Sequence, residues 1–343
     1  MNRREFLSSS LAAALAGSSI RGMSQRGSGS VPDSPRRILY VMADLTETNP
    51  ARQRTLVDTL GSSGFNVLIL SFLEASMGGG KLSLLYNDNA VASLAPRVPA
   101  LLAQLRAGFA ARKRIQISIG GWGHTPTFGA IRSVGVPAFV RQLTEEIIAP
   151  LGLDGIDIDL EPQQGGLENW IGVHRDYGKT IVDLTNEYKR VHPTHLVTHA
   201  PISPVAAEMY VKAMSVEGRK ISLLEGTRTP RGNNVDWLNV QFYEGGVVVE
   251  GTIADYYRTQ LAGPLSTTPD QFGISQPLHF LTPTFEPQAK QPLEFCQQTI
   301  AAINQSCADL QAGKLNGVAL WDYRQVAPDI NGWSRGLEAA FPG

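Results

Sequence analysis

Residues 153–162 read LDGIDIDLEP, a short aliphatic run in which Asp157, Asp159 and Glu161 occupy every second position. Side chains of a β-strand alternate between its two faces, so the three carboxylates share one face and the aliphatic side chains share the other. The aliphatic face is expected to pack outward against helices. The stretch therefore predicts a barrel strand whose acidic face points inward, with Glu161 at the carboxyl-terminal mouth.

Seven further short apolar runs alternate along the chain with longer stretches of helical period. The residues from Trp170 to Val191 carry apolar side chains at steps of three and four, and stretches 91–109 and 296–310 do the same. This alternation predicts an α/β fold, a (β/α)8 TIM barrel that forms a single domain over residues 36–343. An open doubly wound sheet is the alternative, but no G-x-G-x-x-G motif follows the first run. The seven runs are Ile38–Met42, Val67–Phe72, Ile115–Ile119, Leu196–His199, Trp237–Phe242, Phe272–Ser275 and Val318–Trp321.

The composition excludes several classes of protein. The net charge of −1 gives no basic surplus for a general electrostatic grip on nucleic acid or anionic lipid. Two cysteines exclude a disulfide scaffold and a multi-cysteine metal site. Cys296 and Cys307 share one predicted helix and lie about 16 Å apart along its axis. They are therefore too distant for a disulfide, and we expect both in the core.

Residues 1–20 have the layout of an export signal. Arg3 and Arg4 precede a mildly apolar stretch that ends in small residues, which resembles the twin-arginine type. The stretch from Leu7 to Ile20 is too short and too rich in serine to span a membrane. Residues 21–35 are rich in Gly, Ser and Pro and are expected to be a flexible linker. We expect a protein exported to the periplasm or the medium and free of the membrane after signal removal; a chance basic N-terminus on a cytoplasmic protein is the alternative.

The three acids of residues 153–162 are costly to bury if all of them ionise. Some must share protons or hydrogen bonds, and such an arrangement suits a general acid. A solvated acidic sheet face and a divalent-metal site are the alternatives. His199 is the histidine best placed to join a metal, but it is expected to be packed or hydrogen-bonded instead. No H-E-x-x-H or H-x-x-E-H spacing occurs, and we expect neither a metal nor a cofactor.

Four motifs now carry a resemblance to a known family. Residues 154–161 match the D-G-x-D-x-D-x-E signature of the family 18 glycoside hydrolases, the chitinases and their relatives. Residues 118–121, SIGG, are similar to the family's S-x-G-G, and residues 241–243, QFY, are similar to its [MQ]-x-Y-N. Trp321 ends the last run, where the family keeps a tryptophan under the sugar ring. Glu244 stands where the family usually has asparagine, which puts the hydrogen bonding around the reacting sugar in doubt.

The resemblance implies a retaining mechanism in which the substrate supplies the nucleophile. Glu161 would protonate the glycosidic oxygen, and the 2-acetamido carbonyl of the sugar would then attack its own anomeric carbon to form an oxazolinium ring. Asp159 would orient the acetamido N–H and stabilise the positive charge. Asp157 would tune Asp159 by sharing a proton with it, and Tyr243 would donate its hydroxyl to the acetamido oxygen.

The same resemblance assigns the residues that bind the sugars. Trp321 would be the platform under the reacting sugar, and Trp122 would form a neighbouring wall or, alternatively, anchor a loop. Gln241, Gly120 and Gly121 complete the expected binding residues. Trp170 and Trp237 are read as packing residues.

We therefore expect a chitinase that acts within chitin or N-acetylglucosamine oligosaccharides. The interval between the last two runs leaves no room for the small α+β insertion domain that deepens the groove in some relatives, so the cleft should be shallow and suited to internal cleavage. The longest spare loops are expected at 75–90 and 201–236. An endo-β-N-acetylglucosaminidase acting on N-linked glycans and a non-catalytic lectin on the same barrel are the alternatives. No long apolar surface stripe demands a partner, so the chain is expected to be a monomer.

Overall fold

A computed structural model gives the structure of the chain. It describes residues 35–42, 49–87, 89–90, 97–108, 113–163, 165–211, 214–216, 219–230, 232–242, 255, 258–259, 281–285, 296–303, 305 and 317–341. Residues 1–34 lie outside this set, so the export signal and the linker stay predictions.

Strands in the described part are numbered β1 to β14 in chain order. Eight of them are the parallel barrel strands, and the other six form short antiparallel pairs on the loops. The barrel strands are β1 (Arg36–Val41), β2 (Val67–Gly78), β5 (Arg114–Trp122), β6 (Gly155–Glu161), β7 (Leu196–His199), β12 (Trp237–Gln241), β13 (Leu281–Phe285) and β14 (Gly317–Leu320). The loop strands are β3 (Lys81–Tyr86), β4 (Asn89–Ala90), β8 (Met214–Val216), β9 (Arg219–Ile221), β10 (Arg228–Thr229) and β11 (Gly232–Asn233).

Helices separate the barrel strands and cover the outside of the barrel. The longest is Leu167–Val191, whose buried side chains include Trp170 and Tyr188 at the predicted apolar positions. The other helical segments are Pro50–Ser62, Arg97–Gly108, Thr125–Val134, Val136–Leu143, Thr144–Ile148, Ala149–Leu151, Ser203–Val205, Ala206–Val211, Leu223–Gly226, Cys296–Ile300, Tyr323–Val326, Ala327–Asp329 and Ile330–Ala340. None of the helices in the described ranges is long and apolar enough to cross a membrane.

The eight parallel strands close into a barrel, as the sequence predicted. The first strand pairs in parallel with β2 on one side and with β14 on the other, so the sheet has no free edge between them. Each remaining pair of neighbours around the ring is also parallel. The carboxyl ends of all eight strands therefore meet at one mouth, which is where barrel enzymes hold their active sites.

The position predicted for the seventh strand was wrong. The strand that pairs with both β12 and β14 is Leu281–Phe285, whereas the predicted run Phe272–Ser275 lies outside the described residues. The sequence LTPTF alternates threonine with other residues, and the buried Thr284 stands in register with Gln241 of β12. A search for continuous apolar runs misses a strand whose inward side chains are polar.

The first predicted spare loop is a β-hairpin. The second strand runs on past the barrel, and its residues Leu73–Gly78 pair antiparallel with Lys81–Tyr86. Gly79 and Gly80 form the tip with φ angles of 57° and 77°, which a residue without a side chain adopts at little cost. This hairpin extends the wall of the mouth beyond β2.

The predicted packing residues are buried. Trp170 and Trp237 both lie in the hydrophobic core. Cys296 is a buried free thiol, while Cys307 lies outside the described residues.

Candidate active site

The three acids of β6 point into the barrel mouth, as the alternation predicted. Asp157, Asp159 and Glu161 are 0%, 2% and 8% exposed. Their Cα atoms stand in register with those of Ser118, Gly120 and Trp122 on β5. The aliphatic residues between them belong to the hydrophobic core around the barrel. The strand thus separates a polar interior from an apolar exterior.

The deepest carboxylate, that of Asp157, accepts hydrogen bonds from four side chains. Its Oδ1 accepts from the Thr198 hydroxyl at 2.6 Å and from the Asn239 amide at 3.2 Å. Its Oδ2 accepts from the Ser118 hydroxyl at 2.8 Å and from the Tyr40 hydroxyl at 3.4 Å. These donors come from four other barrel strands, so the carboxylate links five strands inside the barrel.

Burial raises the pKa of Asp157 to about 6, although its four hydrogen bonds act in the opposite direction. Removing the carboxylate from water disfavours its charged form more than the donors favour it. Near neutral pH the site therefore holds a negative charge whose burial costs free energy. At a slightly lower pH Asp157 is protonated, two residues deeper in the barrel than Asp159.

The two outer carboxyls form a hydrogen-bonded pair. Asp159 and Glu161 contact each other through their side chains, which requires one proton between them. The Gln241 side-chain amide donates to both, at 3.2 Å to Asp159 Oδ1 and 3.2 Å to Glu161 Oε1, and its third contact is the Ala200 carbonyl at 2.8 Å. Gln241 thereby holds the pair in one orientation, a role that its place in the QFY motif did not specify.

Burial raises the pKa of Asp159 well above its usual range, and the charge of Glu161, the hydrogen bond with Glu161 and the charge of Asp157 raise it further. Only the Gln241 amide opposes the shift. Like charges at this distance cannot all ionise, so the stack retains protons at a pH where isolated carboxylic acids have lost them. The arrangement can therefore hold and deliver a proton at the mouth of the barrel.

The two glycines of the SIGG motif allow β5 to approach its neighbours. A side-chain carbon on Gly120 would lie 2.1 Å from the Asp159 carbonyl oxygen, and one on Gly121 would lie 2.7 Å from the Phe72 ring. Both residues have positive φ angles, 109° and 96°. Their glycine character is explained by backbone packing beside the acids; a direct contact with substrate stays a prediction.

Trp321 lies beside the acids on an aromatic cluster. Its ring stacks on Phe72 with centroids 5.4 Å apart and meets Tyr40 edge-on at 5.5 Å. Because Tyr40 also donates to Asp157, it connects the Trp321 ring to the deepest acid. The peptide bonds Ser71–Phe72 and Trp321–Asp322 are cis. The role of Trp321 as a sugar platform stays a prediction.

Trp122 is an exposed aromatic residue at the same mouth. It is 47% exposed, and its ring lies 6.1 Å from the buried Trp170 ring. Its Cα atom is paired with that of Glu161 on the adjacent strand, so Trp122 stands at the level of the outermost acid. An indole that is half exposed at a cleft can offer an apolar face to a sugar.

His199 is packed and hydrogen-bonded, as expected. Its Nδ1 lies 3.0 Å from the Tyr210 hydroxyl, and its Nε2 lies 2.9 Å from the Thr185 hydroxyl. Burial lowers its pKa to about 3. Both ring nitrogens therefore contact protein hydroxyl groups. Within the described ranges no three His, Cys, Asp or Glu side chains are grouped so that they could hold a metal ion.

Tyr243 and Glu244 lie outside the described residues, so the role expected of Tyr243 stays a prediction. The described strand ends at Gln241, and Phe242 after it is buried.

Sequence reasoning missed three of the donors that hold Asp157, namely Tyr40, Thr198 and Asn239. Each occupies an inward position of its strand, in a run that was read only for its apolar content. A polar residue at an inward-facing position of a predicted barrel strand is the sequence signal that could have identified them. Gln116, also buried in the barrel, shows the same signal and donates to Thr198 at 3.2 Å.

The raised pKa of Asp157 predicts a pH-dependent effect of Asp157→Asn on stability. Between about pH 4 and 6 the folded state keeps a proton that the unfolded state has lost, so the free energy of unfolding of the wild type falls as the pH rises. The neutral amide removes this term. We expect the variant's free energy of unfolding, relative to wild type, to increase by roughly 3 kcal/mol from pH 4 to pH 7. Urea denaturation at several pH values measures this difference, and a difference that does not change with pH would contradict the assignment.

The chain is similar to known proteins in its structure rather than in its sequence. No protein-family model matches it, and no curated protein matches it. Solved structures do match: a GH18 chitinase from Pseudoalteromonas aurantia, at 17% identity and a TM-score of 0.60, covers 89% of this chain and 100% of its own. The Legionella pneumophila ChiA C-terminal domain matches at 15% identity and a TM-score of 0.54, covering 90% of this chain and 98% of its own.

A third similar structure is that of an inhibitor protein. It is the xylanase-alpha-amylase inhibitor protein XAIP-I in complex with trehalose, at 16% identity and a TM-score of 0.51, covering 88% of this chain and 98% of its own. At these identities the matches establish the fold. The chain therefore has the (β/α)8 barrel fold of family 18 chitinase structures, in agreement with the family that its motifs on β5 and β6 and at the ends of β12 and β14 resemble.

Proposed function

We propose that this protein is a glycoside hydrolase that cleaves β-1,4 bonds within chitin and N-acetylglucosamine oligosaccharides. The observation that carries the proposal is the proton-sharing pair Asp159–Glu161, held by Gln241 at the mouth beside the Trp321 platform. A buried carboxyl that retains its proton next to an aromatic sugar platform is suited to protonate a glycosidic oxygen. The structural likeness to chitinases and the motif resemblance point the same way.

In the proposed first step Glu161 donates its proton to the oxygen that links two sugar units. The bond from that oxygen to the anomeric carbon breaks, and the leaving unit departs as an alcohol. The 2-acetamido carbonyl oxygen of the remaining unit forms a bond to the anomeric carbon and yields an oxazolinium ion. Water, deprotonated by Glu161, then opens this ring and restores the acetamido group.

The spacing of the carboxyls supports a nucleophile supplied by the substrate. A retaining enzyme with a protein nucleophile keeps its two carboxyls about 5–5.5 Å apart, on either side of the scissile bond. Asp159 and Glu161 share one face of β6 and accept from the same Gln241 amide, so they do not stand on opposite sides of a sugar. Asp159 is better placed to hold the acetamido N–H and to balance the positive charge of the ring.

Asp157 completes this scheme as a positioning residue. It lies two residues deeper on the same face of β6, and its charge raises the pKa of Asp159. When Asp157 takes up a proton, that repulsion disappears, and Asp159 can carry the negative charge that the oxazolinium ion requires.

Two other functions use the same site. An endo-β-N-acetylglucosaminidase acting on N-linked glycans needs the same 2-acetamido sugar. A non-catalytic sugar-binding or inhibitor protein is the second, and the similar XAIP-I structure carries an inhibitor name. The presence of Glu161 with its hydrogen-bonded partners favours catalysis.

A product assay tests the proposal. The protein is incubated with chitin hexamer, with a high-mannose glycopeptide and with cellohexaose, and the products are identified by mass spectrometry and NMR. We expect internal cleavage of the chitin oligomer, a β-anomeric first product and no cleavage of cellohexaose, because glucose lacks the acetamido nucleophile. An α-anomeric first product or efficient cleavage of cellohexaose would overturn the mechanism, and cleavage of the glycopeptide alone would favour the glycan-specific alternative.

Export by the twin-arginine route is proposed from residues 1–20. Replacing both Arg3 and Arg4 by lysine should leave the precursor inside the cell, because that route requires the arginine pair. The mature wild-type chain should begin between Gly17 and Gly29. Fractionation and N-terminal sequencing measure both points, and an intact Met1 chain as the major species in its native host would contradict the proposal.

A further inference from the structure

Glu74 lies on the cleft side of the mouth, beyond the acids already described. It follows Phe72 by two residues on β2, so the two side chains share one face of the strand. Phe72 stacks on Trp321 at 5.4 Å, which fixes that face as the one directed towards the site. Glu74 thus stands one step further out, where β2 has left the barrel and pairs with β3.

His124 reaches Glu74 from the end of the neighbouring barrel strand. Its Nδ1 lies 3.1 Å from Glu74 Oε2. His124 follows the exposed Trp122 by two residues, and Trp122 shares the register of Glu161. We call Glu74, His124 and Trp122 the Glu74 corner: an acid–histidine pair with an exposed indole two residues before its histidine along the chain.

The Glu74 carboxylate has unused hydrogen-bonding capacity. Its side chain is only 11% exposed, yet its one recorded contact within the described residues is that of Oε2 with His124. A carboxylate buried to this extent is stabilised when further donors reach it. Its other oxygen, Oε1, has no hydrogen-bond partner in the described part of the chain. A donor carried by a ligand can occupy this position.

We propose that the Glu74 corner binds an N-deacetylated sugar unit through its 2-ammonium group, with the ring of that unit lying against Trp122. This inference rests on the proposed function. An ammonium offers three N–H donors and a full positive charge, whereas an acetamide offers one donor and a methyl group that a carboxylate does not bind. Hydrogen bonds between charged groups are about twice as strong as neutral ones.

The substrate class that follows is partly deacetylated chitin. The unit over Trp321 must keep its acetyl group because it supplies the nucleophile. The unit in the Glu74 corner should be glucosamine. Recognition would then combine one acetylated and one deacetylated unit at a fixed spacing from the cleaved bond.

The test is digestion of a partly N-deacetylated chitin polymer at a pH where its amines are protonated. Both ends of the products are sequenced by mass spectrometry. We expect one unit position, other than the reacting one, to be enriched in glucosamine by about tenfold over its frequency in the polymer. The enrichment should fall as salt is added, because the corner is partly open to solvent.

Glu74→Gln should bring that enrichment close to onefold, since the neutral amide loses the charge. Glu168→Gln, which changes an exposed glutamate on the outer helix, is the matched control and should keep the wild-type pattern. The enrichment is a ratio and does not depend on how much folded variant is present. Hydrolysis by the wild type without enrichment, or enrichment that survives in Glu74→Gln, would overturn the inference and leave the proposed function standing. If neither chitin nor the partly deacetylated polymer is hydrolysed, the proposed function is overturned, and the inference with it.

Discussion

Glu161→Gln should lose hydrolysis of chitin oligomers by about 10²–10⁴-fold or more while the protein stays folded. The amide has nearly the same shape as the carboxyl group but cannot give up a proton to the glycosidic oxygen. Its oxygen can still accept from the Gln241 amide, which now donates to Glu161 Oε1 at 3.2 Å. The variant should therefore keep its structure and its affinity for the oligomer. Steady-state kinetics on chitin hexamer, with thermal unfolding of the same sample, measures both.

The control for this loss is Glu168→Gln, since Glu168 is exposed at the start of the helix Leu167–Val191 and is not one of the inward acids of β6. It should hydrolyse chitin hexamer at the wild-type rate. Turnover by Glu161→Gln within tenfold of wild type would remove Glu161 from the role of general acid, whatever the behaviour of the control.

Asp159→Asn should be nearly as damaging, with a loss of about 10²–10³-fold in kcat. The carboxylate would stand opposite the positive oxazolinium ring, and because Asp159 is buried, water does not replace the lost charge. The amide also cannot accept the proton that Asp159 and Glu161 now share. The loss should appear in kcat more than in KM, because the charge develops only during the reaction.

A stable thiazoline analogue of N-acetylglucosamine separates this role from a simple structural effect. Because the analogue resembles the oxazolinium ring, it should inhibit the wild type competitively and bind Asp159→Asn more weakly. Equal inhibition of both proteins would show that Asp159 does not stabilise the ring. Unchanged kcat in the variant would have the same consequence.

The prediction for β6 succeeded because it used a property that is local to a strand. Alternation has a period of two residues, so residues 153–162 alone placed Asp157, Asp159 and Glu161 on one face and the aliphatic residues on the other. The repeat of runs and helical stripes then indicated a barrel, and the barrel fixed which end of the strand carries the site. The seventh strand escaped this reasoning because its sequence is not a continuous apolar run and its buried Thr284 is polar.

The partners of these acids depend on register between strands that are far apart in the sequence. Tyr40 and Asp157 are separated by 117 positions, and Asn239 and Asp157 by 82, yet both pairs are hydrogen-bonded. The periodicity of the sequence does not show which inward side chains contact each other across a closed barrel. Those contacts depend on the tilt of the strands and on their register.

The sequence by itself therefore determined the barrel and the inward direction of the three acids on β6. Only the tertiary structure decided that Gln241 holds Asp159 and Glu161 together, and that β2 extends so that Glu74 meets His124. The reason is physical: the direction of a side chain along one strand follows from backbone geometry, whereas its partner follows from how the sheet closes.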